Sequence, residues 1–249
     1  MGALPIGLIV FACLFGAAAL GMVLARRLPD HHLDAGSRDS IKLATAIVGT
    51  LAALALGLLV ASAKTTFENA NAELRTSVAR VVLLDRLLAQ YGPEANGARA
   101  ELRSVVEARL QNAWTRKGSK GGGEGASIEP VQVELRALNP VTNAQRLLQA
   151  RALQVSGDVA EAHWLLTETA GGVLPRAFVA VLVLWLTLLF ATFGLLAPSN
   201  ATVVAVLCFS ALSVAAAIFL IVDMDHPYLG IIHLSDAPLR NALEHLGRK

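Results

Sequence analysis

The sequence predicts an all-α membrane protein, with four transmembrane helices in two pairs and a helical extramembrane insert between spans two and three. Three observations lead there. Hydrophobic residues make up 55% of the 249 and charged ones only 16%, against about 25% charged in an average soluble domain. Ionisable side chains are absent from Gly2–Ala25, from Leu43–Ala63 and from all of Ala177–Val222. A polar stretch, Lys64–Pro175, separates the two apolar halves. Buried helices of soluble proteins seldom carry more than about 14 consecutive apolar residues, so a soluble globular fold is excluded. Disorder needs low hydrophobicity and high net charge, and is excluded too. A net charge of +2 gives the chain no basic surplus suited to nucleic acid. The partner it implies is the lipid bilayer.

A helix rising about 1.5 Å per residue needs roughly 20 residues to cross a hydrocarbon core of about 30 Å. The first run (2–25) has 24 residues and the second (43–63) has 21. The third has 46 and is broken once, at Pro198-Ser199-Asn200, into spans 177–197 and 201–222. Lipid offers the backbone no hydrogen-bond partners, so these spans are helical. The first run lacks a charged leader and outlasts a secretory h-region of about 7–15 residues. Arg26-Arg27 follow it, and it reads as a retained span.

The expected organisation is therefore a first pair (1–63), an insert (64–175), a second pair (176–222) and a tail (223–249). The insert carries 13 Lys/Arg and 12 Asp/Glu. Leu74, Val78, Val81, Leu84, Leu88 and Tyr91 recur every three or four residues, which marks one face of a helix. No breaker separates them from span two, so the second helix runs out of the membrane to Tyr91, where Gly92-Pro93-Glu94 stops it. Another helix follows through Leu102, Val106, Leu110 and Trp114. Residues 118–127 read as a flexible glycine linker. Asn139-Pro140 reads as cap and first residue of a helix ending near Ser156-Gly157. Asp158 with Glu161 suggests a further start, and Gly171-Gly172 a stop. No sheet is expected.

Span two carries Thr45, Gly49, Ala53, Gly57 and Ala61, a small residue at every fourth position. Span one repeats the device in Cys13, Ala17, Gly21 and Ala25. Such ridges let membrane helices approach closely, within one subunit or between subunits. Leu51, Ala55 and Leu58 lie away from the span-two ridge and are the candidate pore-facing residues. No span holds an ionisable group, which argues against a proton relay, an ion-coupled carrier or a voltage sensor. An apolar constriction that gates by wetting is compatible with it. Cys13 and Cys208 both lie in apolar runs and give neither a disulfide framework nor metal spacing.

Two polar clusters flank the spans. Leu28-Pro29-Asp30-His31-His32-Leu33-Asp34 is rich in potential ligands, but adjacent histidines diverge by about 100° in a helix and face opposite sides of a strand. It reads as an interfacial turn, with Ser37 or Asp39 capping the second span. Asp223, Asp225 and His226 sit where span four ends; the two carboxylates are candidate cation ligands, and Tyr228 a headgroup anchor. His163 and Trp164 read as packing residues of an amphipathic helix. No nucleophile elbow, zinc-protease helix or phosphate loop is present. No catalytic residue, metal site or cofactor is therefore assigned, and an enzyme is not expected.

The pattern Leu28-Pro29-x-His31-His32-Leu33, then Ser37-Arg38-Asp39, then a span ending Ala61-Ser62-Ala63-Lys64, resembles the bestrophin-like domain proteins of bacteria. The tail pattern, Asp225-x-Pro227-Tyr228-x-Gly230 with Ser235-Asp236-x-Pro238-Leu239, is similar to theirs, and to the stretch after the last span of true bestrophins. The resemblance covers both span pairs and the tail. It implies a homo-oligomer, a pentamer by analogy, passing chloride or another small ion, with span two on the axis. It also implies that the insert and both termini face the cytoplasm of a bacterial inner membrane. Unlike bestrophins proper, the chain has no long acidic cluster beyond Asp223, Asp225 and Asp236. Charge bias gives the opposite orientation: the connection Arg26–Lys42 holds four Lys/Arg, and the Pro198–Asn200 turn none. The orientation implied by the resemblance is the expectation adopted. Two functions stand beside each other, an ion channel with an apolar gate on span two, and a non-conducting scaffold or signalling protein whose insert binds a partner. A metal enzyme using His31, His32 and Asp34 is disfavoured by the ligand spacing.

Overall fold

A computed structural model describes residues 3–29, 34–115, 127–169, 176–198, 200–225, 232 and 234–246. They form α1 (Ala3–Arg27), α2 (Ala35–Tyr91), a 3-10 turn (Pro93–Ala95), α3 (Asn96–Thr115), α4 (Glu129–Ala137), α5 (Asn143–Thr169), α6 (Arg176–Leu196), α7 (Ala201–Met224) and α8 (Ala237–His245). No strand occurs among the described residues. α1, α6, α7 and a segment of α2 are long and apolar enough to cross a membrane. The fold is all-α, as the sequence predicts. The chain divides into two compact units, one of residues 1–67, 172–226 and 230–232, the other of residues 68–171, 227–229 and 233–249. α2 contributes to both.

In the first unit α1 packs closely against α6 and α7. Glycine makes the α1–α6 approach possible. A Cβ on Gly21 would overlap the Ala191 carbonyl oxygen and lie 2.9 Å from the Leu195 nitrogen; a Cβ on Gly194 would overlap the Ala18 carbonyl oxygen. Both contacts fall near the C-terminal ends of α1 and α6. Gly7, near the N-terminus of α1, lies beside Phe219, near the C-terminus of α7. Of the span-one ridge, Ala17 and Gly21 are buried in this seam, Ala25 is half-buried and Cys13 is exposed. Leu14, Ala18, Leu182, Ala211 and Ile218 fill the middle of the unit. α2 joins it through Ala52, Leu59 and Ala63.

The helix ends refine the sequence reading. α2 is capped by Asp34, whose Oδ1 accepts the Ser37 backbone N–H at 2.8 Å; Ser37 and Asp39 were the expected caps and lie inside the helix. The hydrogen bonds from Ser37 hold the Asp34 carboxyl below its usual range. Asn200 caps α7, accepting from Val203 N at 2.8 Å. α5 opens at Asn143 rather than at Asn139-Pro140, because Thr142 and Gln145 form a reciprocal box. Gln145 N–H donates to Thr142 Oγ1 (3.1 Å), and Gln145 Oε1 accepts from Thr142 N (3.2 Å). It also continues past Ser156-Gly157 without a break. A helical glycine costs only about 1 kcal/mol, and the buried neighbours Val155 and Val159 anchor the helix in the core on either side of it. Residues 118–126 of the linker, Gly171-Gly172 and the side chains of Trp114, His163 and Trp164 lie outside what is described.

The second unit is a helical bundle. Leu84 and Leu88 of α2, Leu102 and Val106 of α3, and Leu135 of α4 share its core. Leu239 and Leu243 of α8 pack against it. The face that the sequence assigns to the end of α2 is the buried one: Val81, Leu84, Leu88 and Tyr91 are buried, Leu74 and Val78 half-buried. Polar contacts close the ends. The Gln149 amide donates to the carbonyls of Leu135 (2.8 Å) and Leu138 (2.9 Å), satisfying the C-terminus of α4. Asp85 and Arg99 form a two-pronged ion pair, 2.8 Å from Nε to Oδ1 and 3.1 Å from Nη2 to Oδ2. Their side chains are only 3% and 14% exposed.

Candidate functional site

The candidate residues fall on α2 and on the segments that bracket the spans. α2 is the least covered of the four membrane-length helices. Leu51 and Leu58 are exposed, together with Leu43, Ile47 and Leu54, the last 73% accessible. Ala55, grouped with Leu51 and Leu58 in the sequence reading, is half-buried against the core of the first unit. The small-residue ridge is likewise divided. Thr45 and Gly49 are half-buried, and a Cβ on Gly49 would lie 3.8 Å from Leu189 Cδ2. Ala53, Gly57 and Ala61 are exposed, and a Cβ on Gly57 would meet nothing within 4 Å.

The hydroxyls of this helix turn inward on their own backbone. Thr45 donates to the Ile41 carbonyl (2.7 Å) and Thr50 to that of Ile47 (2.8 Å). Such bonds satisfy a hydroxyl at lipid depth without a partner helix.

At the exit of α7, Asp223 and Asp225 are both buried. Asp223 Oδ2 accepts the backbone N–H of Ile232 at 2.7 Å, which ties Ile232 to the helix end. No group of three or more metal-ligating side chains occurs among the described residues. Of the motif positions before α2, Ser37 is half-buried and bonded to Asp34, and Arg38 is exposed. Asp39 pairs with Lys42 at 3.1 Å on the surface. In the tail, Asp236 pairs with Arg240 across the first turn of α8 at 2.9 Å, Pro238 stands in that turn, and Leu239 packs on the bundle core. His31, His32, His226, Pro227, Tyr228 and Gly230 lie outside the described residues.

The sequence reading missed Leu43, Ile47 and Leu54 as members of the exposed face, although their spacing of three and four was visible. It also missed Gly194, whose partner Ala18 is remote in sequence.

Four long apolar helices, without an ionisable group in their apolar runs, define a multi-pass helical membrane protein. The particular family follows from a comparison of the sequence with family models. The model for the Bestrophin-like domain matches residues 12–239, nearly the whole chain, and the protein belongs to that family. No curated protein and no solved structure matches it.

Proposed function

We propose that this chain is one subunit of a homo-oligomeric ion channel in the bacterial inner membrane, five copies by analogy with bestrophins, with an apolar gate on α2. The observation that carries the reading is the outward face of α2. Leu43, Ile47, Leu51, Leu54 and Leu58 are exposed on the least covered span, beside a glycine seat at Gly57 that nothing among the described residues fills. With no fixed charge in the span, the barrier to ions is dewetting between aliphatic side chains. Imaging of the detergent-purified protein for rotational symmetry, followed by current recording in planar bilayers, tests it. Leu51→Ser and Leu58→Ser hydrate the constriction and raise the resting current several-fold. Two Ser variants that assemble as rings yet stay silent at every voltage reject the channel.

A second reading, a non-conducting scaffold, is favoured by one observation. Val133, Val141 and Leu147 of the insert are 60%, 85% and 73% exposed, apolar side chains that a partner would cover.

The insert and both termini are proposed to be cytoplasmic. Ala100 is exposed on α3. Ala100→Cys resists an impermeant thiol reagent in intact cells and reacts after lysis. Ready labelling in intact cells reverses the orientation in favour of the charge bias.

A further inference from the structure

Ser210 and Ser213 are the tenth and thirteenth of the 24 residues of α7, and both are exposed. Neither hydroxyl has a hydrogen-bond partner among the described residues. The threonines of the spans differ: Thr45 and Thr50 of α2, and Thr187 and Thr192 of α6, each donate to a carbonyl of their own helix. Lipid tails accept no hydrogen bond, so two open hydroxyls at mid-depth call for a protein acceptor. Val206, Ser210, Ser213 and Ala217 follow at steps of four, three and four, a seam along one side of α7.

Contacts within the first unit fix the depth of this seam. Ala18 and Gly21 of α1 meet the end of α6, and Gly7 of α1 meets Phe219 near the end of α7. α7 begins five residues after α6 ends, so it starts beside the end of α1 and returns along it. Counting about 1.5 Å per residue, Leu189 is level with residues 208–211 of α7. A Cβ on Gly49 would touch Leu189, and α2 begins eight residues after α1 ends. Ala53 is therefore level with Ser213, and Gly57 with Ala217, to within about one turn. Ala52, Leu59 and Ala63 turn one side of α2 to the core of the unit, and the exposed leucines form a second side. Ala53 and Gly57, both exposed, stand between these sides, about 80–140° from each.

Resting on the homo-oligomer in the reading above, we propose that the Ser210–Ser213 seam of α7 is a subunit contact, filled by the Ala53–Gly57 flank of α2 in the next copy. Rotation about the membrane normal keeps every residue at its depth, so the levels that match within one copy also match between copies. Small side chains on α2 let the two backbones approach, and the α2 carbonyls beside them accept the serine protons. The two faces differ, so the contact is head-to-tail and can close into a ring. It leaves the leucine side of α2 free to meet the axis.

The experiment uses the full-length protein in membranes, with Cys13→Ala and Cys208→Ala removing the native thiols. Oxidation of Ala53→Cys/Ser213→Cys and of Gly57→Cys/Ala217→Cys is expected to give a ladder of cross-linked species on denaturing gels, and none of the four single cysteine variants to give one. Dimers from Ser213→Cys alone set α7 against α7 and overturn the contact. Absence of a ladder from both pairs, while light scattering shows an intact oligomer, overturns the contact and leaves the homo-oligomer standing. A monomeric wild type removes the homo-oligomer and the contact with it. The variant Ser210→Ala/Ser213→Ala is expected to lower the oligomeric fraction several-fold in mild detergent while the monomer keeps its melting temperature. An unchanged oligomeric fraction with a less stable monomer places the role of the serines inside the subunit and overturns the contact.

Discussion

Gly194→Leu is expected to leave no folded span unit. The atom nearest to a Cβ at this position is the Ala18 carbonyl oxygen, with the Ala18 carbonyl carbon 2.8 Å away and its Cα 3.0 Å away. All three are backbone, so no rotamer change relieves the overlap. Overpacking of a core ordinarily costs about 1–3 kcal/mol because side chains can shift; here a whole helix must move, and the cost exceeds that range. Even Gly194→Ala should separate α1 from α6. Gly57→Leu is the informative contrast. Its site is open among the described residues, so the variant keeps the melting temperature of its monomer but loses the oligomer. Size-exclusion elution and thermal melting in one detergent check both, and equal behaviour of the two variants refutes the distinction.

Arg99→Met is expected to cost the bundle about 3–5 kcal/mol, because it strands the Asp85 carboxylate in a dry setting. Only 3% of the Asp85 side chain is accessible, and both of its oxygens bond to Arg99. The double variant Asp85→Leu/Arg99→Met should recover most of the loss, since a buried pair replaced by apolar groups is often neutral. Thermal unfolding of the full chain followed by circular dichroism, with the two single variants completing the cycle, measures the coupling. The hydrogen bond to Asp85 raises the Arg99 guanidinium above its ordinary pKa. A raised cationic pKa contributes stability that is fully present below the unfolded value and lost only as pH climbs through the folded one. Arg99's share is therefore constant across the neutral range and disappears only in strong alkali.

The parts of this fold legible in the sequence are those where one physical effect dominates. Missing charges delimit the spans, since a charge at lipid depth is too costly to hide. The absence of a breaker carries α2 unbroken to Tyr91. Less legible is whatever depends on a remote partner. Gly157 looks like a helix end until Val155 and Val159 are seen anchored in the bundle. Gly194 looks like any membrane glycine until Ala18 lies against it. The span-two ridge failed to stay on one face for a geometric reason: steps of four residues advance about 40° each, so the ridge winds round the helix. It begins half-buried at Thr45 and ends exposed at Ala61. The candidate site was readable as chemistry, apolar and uncharged, but the direction in which each side chain faces was not.

The unequal coverage of the spans has a mechanical consequence. α1 and α6 are keyed to each other at two glycines, backbone against backbone, so neither can slide along the other without collision. They behave as a stator. Among the described residues α2 meets that frame chiefly through side chains, Ala52, Leu59, Ala63 and their half-buried neighbours, and side-chain contacts yield where backbone contacts do not. Strain imposed on this half of the protein is therefore taken up at α2 first. In the proposed channel, the compliant part is the helix whose leucines would have to part for the constriction to wet.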